Sequence, residues 1–154
     1  MIDSILLVDD ESLFHLVFED ACSLLDISLS LQSIDSADEA AKLFAEWQKN
    51  STGRPECVFV DLNIIGSSFD GIELIRKVNF EYGNHVVIGI ISSSNEPEEQ
   101  AKAVQAGAQF WIIKSDDIEP RLEEFKKDYD GYEDRTAPFK IYKWLHQIKI
   151  LDNN

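Results

Sequence analysis

A short apolar run, Ile5-Leu6-Leu7-Val8, opens the chain and stops on Asp9-Asp10. With Ser4 it has the length of a buried strand. From Ser12 to Leu25, Leu13, Leu16, Val17, Leu24 and Leu25 fall at helical spacing and predict a first helix with that apolar stripe. Ile27, Leu29 and Leu31 then alternate with Ser28, Ser30 and Gln32, the pattern of a strand with one exposed face, over Ile27 to Ile34. Ser36, with Glu39 three residues on, forms a capping box for a helix running to about Lys49.

The stretch from Asn50 to Pro55 is a loop by composition, and Cys57 to Val60 is a third strand. Asp70 to Tyr82 has a helical pattern through Ile72, Leu74, Ile75 and Val78, stopped by Gly83-Asn84. Val86 to Ile91 is a fourth strand. Glu96 to Ala106 is a helix with Pro97 in its first turn and Gly107 as its C-cap. Gln109 to Ile113 and Ile118 to Tyr129 supply a fifth strand and a fifth helix. Five βα units with short apolar strands predict a doubly wound α/β fold, a parallel sheet covered on both faces. No internal repeat or low-complexity tract interrupts them.

The tail differs. Asp116 to Asp134 is rich in acids, whereas Ala137 to Ile150 carries lysines and no acid. Ile141, Trp144, Leu145 and Ile148 fall at helical spacing there. The expected organisation is one domain over 1–129, a turn near Asp130-Gly131, and an extension over 130–154 with an amphipathic helix at about 137–150. That helix would either pack on the domain or offer Trp144, Leu145 and Ile148, rimmed by Lys140, Lys143 and Lys149, as a docking or dimer surface.

Composition narrows the class. The 154 residues are 44% hydrophobic and 28% charged, ordinary for one globular domain. No run approaches the roughly 20 apolar residues of a membrane span, and the N-terminus has no signal-peptide pattern. A cytoplasmic location is expected. The net charge of −15, from 14 basic and 29 acidic residues, repels a phosphate backbone and argues against nucleic acid as a partner. It suits a cation or a basic protein surface. Cys22 and Cys57 read as buried fillers, and no zinc-ligand spacing occurs. His15 reads as a surface or packing histidine.

In an open parallel sheet, sites lie beyond the carboxyl ends of the strands. The first strand is followed by Asp9, Asp10 and Glu11; the third ends at Asp61; Ser92-Ser93-Ser94 follows the fourth; Lys114 follows the fifth. Clustered carboxylates need a cation or protons to offset their repulsion, and hard oxygen ligands suit Mg²⁺. A carboxylate can also act as a nucleophile and form an acyl phosphate, with a metal and a lysine neutralising the phosphoryl oxygens.

With "ILLVDDE", "VFVDLN", "DGIELI", "VIGIISSS" and "AVQAGAQFWIIKS" in that order, the chain from about Ser4 to Lys127 resembles a response-regulator receiver domain of two-component signalling. The resemblance implies a (βα)5 flavodoxin-like sheet of strand order 2-1-3-4-5. It implies Asp61 as phospho-acceptor and Lys114 as its phosphoryl-pairing lysine. Asp9 and Asp10 would be the Mg²⁺-holding pair, with Asp61 and the Asn63 carbonyl as further ligands. Ser92 would be the switch hydroxyl and Trp111 the switch aromatic, with Asn63 and Ser94 tuning the phosphate lifetime. The implied partners are a histidine kinase or histidine phosphotransfer protein and a downstream protein target, with a homodimer as an option. A chain of this length implies a stand-alone receiver, working as a signalling module and not as a metabolic enzyme.

Three departures stand out. Ile65 replaces the usual proline four residues after the acceptor, Asp70-Gly71 comes two residues late, and Ser115 replaces the usual cis-proline after the lysine. A cis bond to serine costs roughly 2.5–4 kcal/mol, so a trans bond is expected at 114–115. The departures leave a phosphorylation-independent interaction module as the alternative. An aspartate-nucleophile phosphatase is disfavoured because Asn63 stands where its general acid belongs. A flavodoxin-like electron carrier is disfavoured because acids, and no phosphate-cradling loop, follow the first strand.

Overall fold

The computed structural model describes residues 4–27, 30–50, 55–64, 70–82, 86–94, 96–114, 118–131 and 148–150. In chain order the elements are β1 (Ser4–Val8), α1 (Ser12–Leu24), β2 (Ser30–Ile34), α2 (Ala37–Asn50), β3 (Cys57–Asp61) and α3 (Gly71–Tyr82). They continue with β4 (Val87–Ser92), α4 (Pro97–Ala106), β5 (Phe110–Ile113), α5 (Glu119–Asp130) and β6 (Ile148–Ile150). The sheet order is β2-β1-β3-β4-β5-β6; the first five strands run parallel and β6 runs antiparallel to β5. The expected 2-1-3-4-5 order is therefore present, with one added strand.

Alternation along the strands builds two cores. Ile5, Leu7, Cys57, Phe59, Phe110 and Ile112 face one side and pack with Phe14 and Phe18 of α1 and Phe125 and Tyr129 of α5. Leu6, Val8, Val58, Val60, Ile88, Ile90 and Trp111 face the other and pack with Phe44 of α2, Leu74 and Val78 of α3 and Ala103 of α4. Period-two side-chain direction forces this division, and because helices cover both faces most positions of the central strands β1, β3, β4 and β5 are apolar.

Local signals account for the helix ends. Ser36 Oγ accepts hydrogen bonds from the Asp38 and Glu39 amides at 3.1 and 3.3 Å. Asp70 and Glu73 form a reciprocal box at the start of α3, through 2.9 and 3.5 Å bonds. Gly107 ends α4 with φ +113°, a left-handed conformation that glycine adopts without penalty.

Two expectations need correction. Of the residues read at helical spacing for α1, Val17 and Leu25 pack partly buried against the core, but Leu13, Leu16 and Leu24 are exposed, and Phe14, Phe18, Ala21 and Cys22 are the buried set. Both sets satisfy helical spacing, and the aromatic set removes more apolar surface from water. The helix expected at about 137–150 does not include its last three residues, because Ile148–Ile150 pairs as a strand on the edge of β5. Ile-Lys-Ile alternates as well as it fits a helix, and it supplies partners to an edge backbone. Residues 132–147, with Trp144 and Leu145, lie outside the described residues. So do Ile65 and the rest of the inserted loop, and the 114–115 peptide bond. Cys22 and Cys57 are both buried free thiols, as expected; burial, aided by Glu19, pushes the Cys22 thiol up to about 12.

Candidate functional site

The parallel register sets the carboxyl ends of the central strands side by side, with Val8 opposite Val60, Asp61 opposite Ile91 and Ser92 opposite Ile113. Asp9, Asp61 and Lys114 continue the alternation of the α1/α5 face, and Ser92 continues that of the opposite face with Trp111. Main-chain bonds fix the first and last of these positions. The Asp9 amide donates to the Ile34 carbonyl at 2.9 Å, and the Lys114 amide donates to the Ser92 carbonyl at 2.7 Å.

Lys114 is the centre of the charge cluster. Its Nζ lies 2.7 Å from Asp9 Oδ2, 3.0 Å from Glu11 Oε1 and 3.4 Å from Asp61 Oδ2. The Phe14 ring lies 4.6 Å from the same ammonium, within cation–π range. Asp9 is wholly buried, and its Oδ1 accepts the Glu11 amide at 2.8 Å. A histidine ring nitrogen adds a further tie, His15 Nε2 bonding the Asp9 carbonyl.

The electrostatics follow from burial and proximity. Burial, with the Asp9 carboxylate next to it, pushes the Asp61 carboxyl up from 3.8 to about 6, against the opposing pull of Lys114 and the Asn63 amide. Burial pulls the Lys114 ammonium down, but its contacts with Asp9 and Glu11 and the charges of Asp61 and Asp9 outweigh that and hold it above its ordinary value.

On the other side of the site, Ser92 Oγ accepts the Ser94 amide at 3.1 Å. Ser94 also ties the loop to α4, its Oγ accepting the Glu96 amide at 3.3 Å. Trp111 is wholly buried, and its indole Nε1–H donates to the Ser94 carbonyl at 2.9 Å. Ser92, Ser94 and Trp111 are thus connected in one short chain of hydrogen bonds.

Asp10, Glu11, Asp61, Asn63 and Ser92 to Ser94 line an open cavity of about 440 Å³. The start of α3 packs closely behind Asp61: the Gly71 amide donates to the Leu62 carbonyl at 3.3 Å, and a Cβ on Gly71 would stand 2.2 Å from the Asp61 carbonyl oxygen. Only glycine permits that approach, which explains why Asp-Gly opens the helix.

The residues present fit a hard divalent cation. Ligand oxygens of Asp9, Glu11 and Asp61 lie within 4.8 Å of one another, and Asp9 Oδ2 is buried with no aligned hydrogen bond besides its ion pair with Lys114. The tight group includes Glu11; Asp10 and Asn63, named from the sequence, line the same cavity as Glu11 and Asp61. Phe14, His15 and Gly71 carried no site role in the sequence reading, and Glu11 figured only as one acid of the carboxyl edge. Glu11 stood in the acidic run after β1, but its contact with Lys114 spans 103 positions, which spacing cannot reveal.

The sequence pattern of the response regulator receiver domain matches residues 5–124. No curated protein matches the chain. Among solved structures, the receiver domain of NtrX from Brucella abortus is 25% identical, with a TM-score of 0.61, over 79% of this chain and 96% of that one. A CheY-like receiver domain protein from Methanospirillum hungatei JF-1 is 18% identical, with a TM-score of 0.68, over 85% and 96%. Longer NtrX from Brucella abortus, in complex with ADP, is 23% identical with a TM-score of 0.63; it is matched over 85% of this chain but only 29% of its own length. Receiver domains are phosphorylatable signalling modules of two-component systems, not metabolic enzymes, and they generally bind Mg²⁺ in an acidic pocket. With the match running from 5 to 124 over most of its length, the chain belongs to the response regulator receiver domain family.

Proposed function

We propose that this receiver accepts a phosphoryl group on Asp61 from a phosphohistidine of a histidine kinase or phosphotransfer protein, and signals through a protein contact. The observation that carries the reading is the single ammonium of Lys114 shared by Asp9, Glu11 and Asp61 at the edge of an open cavity. An Asp61 carboxylate oxygen attacks phosphorus, the P–N bond of the donor breaks, and the imidazole leaves with its electron pair and takes up a proton. Asp61 then carries an acyl phosphate.

The chain's own groups have distinct tasks. Lys114 supplies positive charge to the phosphoryl oxygens. Asp9, Asp10, Asp61 and the Asn63 carbonyl are the proposed holders of Mg²⁺, with Glu11 close enough to join them. Bound there, the cation would neutralise charge on the transferring group. The Ser92 hydroxyl would donate its O–H to a phosphoryl oxygen, and because its Oγ accepts the Ser94 amide and the Ser94 carbonyl accepts the Trp111 indole, a shift of Ser92 would be felt at Trp111.

Treatment with acetyl phosphate and Mg²⁺ should add the mass of one phosphoryl group, and Asp61→Asn should abolish the gain. If the variant gains it at the wild-type level, Asp61 is not the acceptor. If the wild type gains nothing from acetyl phosphate or from a panel of phosphorylated kinases, the phosphorylation-independent interaction module takes its place.

A further inference from the structure

Lys114 has three N–H donors, and three carboxylates lie within 3.4 Å of its Nζ. Two of those partners have other duties under the phosphotransfer reading, on which this inference rests. Asp61 must present its oxygen to phosphorus, and Asp9 is buried among the proposed cation ligands. Glu11 is different. Its side chain is 61% exposed while that of Lys114 is 8% exposed, so it holds the ammonium from the solvent side. It also stands at the rim of the cavity through which a phosphoryl donor must arrive.

We infer that Glu11 is a positioning residue: it tethers the Lys114 ammonium at the cavity mouth and competes with the incoming phosphoryl group for it. Before transfer, one Lys114 N–H must leave a carboxylate and turn to a phosphoryl oxygen. The 3.4 Å contact with Asp61 is the longest of the three, and the 3.0 Å bond to Glu11 is the one made from the solvent side, by the most exposed of the partners. The Glu11 amide is itself held by Asp9 Oδ1 and the Phe14 ring backs the ammonium, so the tether is fixed at its base and Lys114 has little room to drift. Glu11 therefore slows capture of a donor and restrains the lysine between events.

Two variants separate tethering from simple charge. Glu11→Gln removes the charge and weakens the bond. Glu11→Asp keeps the charge but is one methylene too short to hold the 3.0 Å bond. The second-order rate of phosphorylation by acetyl phosphate should rise about three- to fivefold in both, the range set by one partly exposed ion pair. The Lys114 ammonium ¹H–¹⁵N signal, sharp only while its protons are held, should broaden in both.

Wild-type rates in Glu11→Asp, with faster transfer in Glu11→Gln alone, would mean charge repulsion at the mouth and overturn the tether. Unchanged rates and an unchanged lysine signal in both variants would overturn it as well. A wild type that takes no phosphoryl group overturns the receiver chemistry itself, a separate failure visible before either variant is made.

Discussion

Asp61 is a carboxylate placed where a carboxylate is costly. Burial and Asp9 raise it to about 6, and the single ammonium of Lys114 offsets only part of that. An acid raised by folding binds more protons in the native state than in the unfolded one between 3.8 and about 6. Stability therefore falls as pH climbs through that window, and the deficit persists above it. Its size is on the order of 2–3 kcal/mol, since each pH unit between the two values is worth about 1.4 kcal/mol. Lys114 works the other way: raised by its partners, it contributes stability that is lost only as alkaline pH passes its own value. In metal-free buffer, Asp61→Asn should thus be more stable than wild type at pH 7.5, and the advantage should vanish by about pH 4. Urea unfolding at several pH values measures it; a difference that does not change with pH would show that Asp61 is not held in this state. The cost is consistent with the proposed role of Asp61 as acceptor, because a carboxylate short of neutralising partners would gain from a cation and from phosphorylation.

At the scale of the helix and strand, α1 shows what patterning can and cannot decide. Two stripes satisfy helical spacing in Ser12 to Leu25, and the strands select the aromatic one. Phe18 stacks edge-on against Phe59 at 5.2 Å between centroids, and Phe59 meets Phe110 and Phe125 in turn. Phe18→Ala should cost about 3–5 kcal/mol, whereas Leu13→Ala, at 75% exposure, should change stability by less than about 0.5 kcal/mol. Comparable losses measured by thermal or chemical unfolding would restore the leucine face. The strands were legible because continuous apolar runs of this length have few alternatives, and Ser36 and Gly107 were legible because caps are local chemistry. The carboxyl-edge groups Asp9, Asp61, Ser92 and Lys114 could be placed together from sequence because a parallel sheet puts every strand end on one side. Glu11's hold on Lys114, Phe14's place over the ammonium and Gly71's approach to the Asp61 carbonyl are distances between separate elements. Spacing along a chain does not contain them. The strand at Ile148–Ile150 escaped for another reason, since three residues carry too little periodicity to overrule the helical pattern before them.

The whole molecule adds a background against which the site must be judged. A net charge of −15 on 154 residues repels itself, and four of the acids, Asp9, Asp10, Glu11 and Asp61, gather around or beside one lysine. Among the described residues no helix is long and apolar enough to cross a membrane. Two contributions should stabilise the fold when ions are added. General screening depends on ionic strength alone and acts over about 10 Å at 0.1 M salt. Site binding depends on the identity of the cation, because only a small hard dication satisfies several oxygens at once. The two separate cleanly in a thermal-unfolding series. Millimolar MgCl₂ should raise the midpoint by more than KCl matched in ionic strength, following the mass-action dependence of a ligand that binds the native state. The excess should disappear in Asp10→Asn and Asp61→Asn, while the KCl effect should persist in both variants. Equal shifts from MgCl₂ and matched KCl in the wild type would mean that the acidic edge is only a dense patch of surface charge, and the proposed Mg²⁺ dependence of phosphotransfer would fall with it.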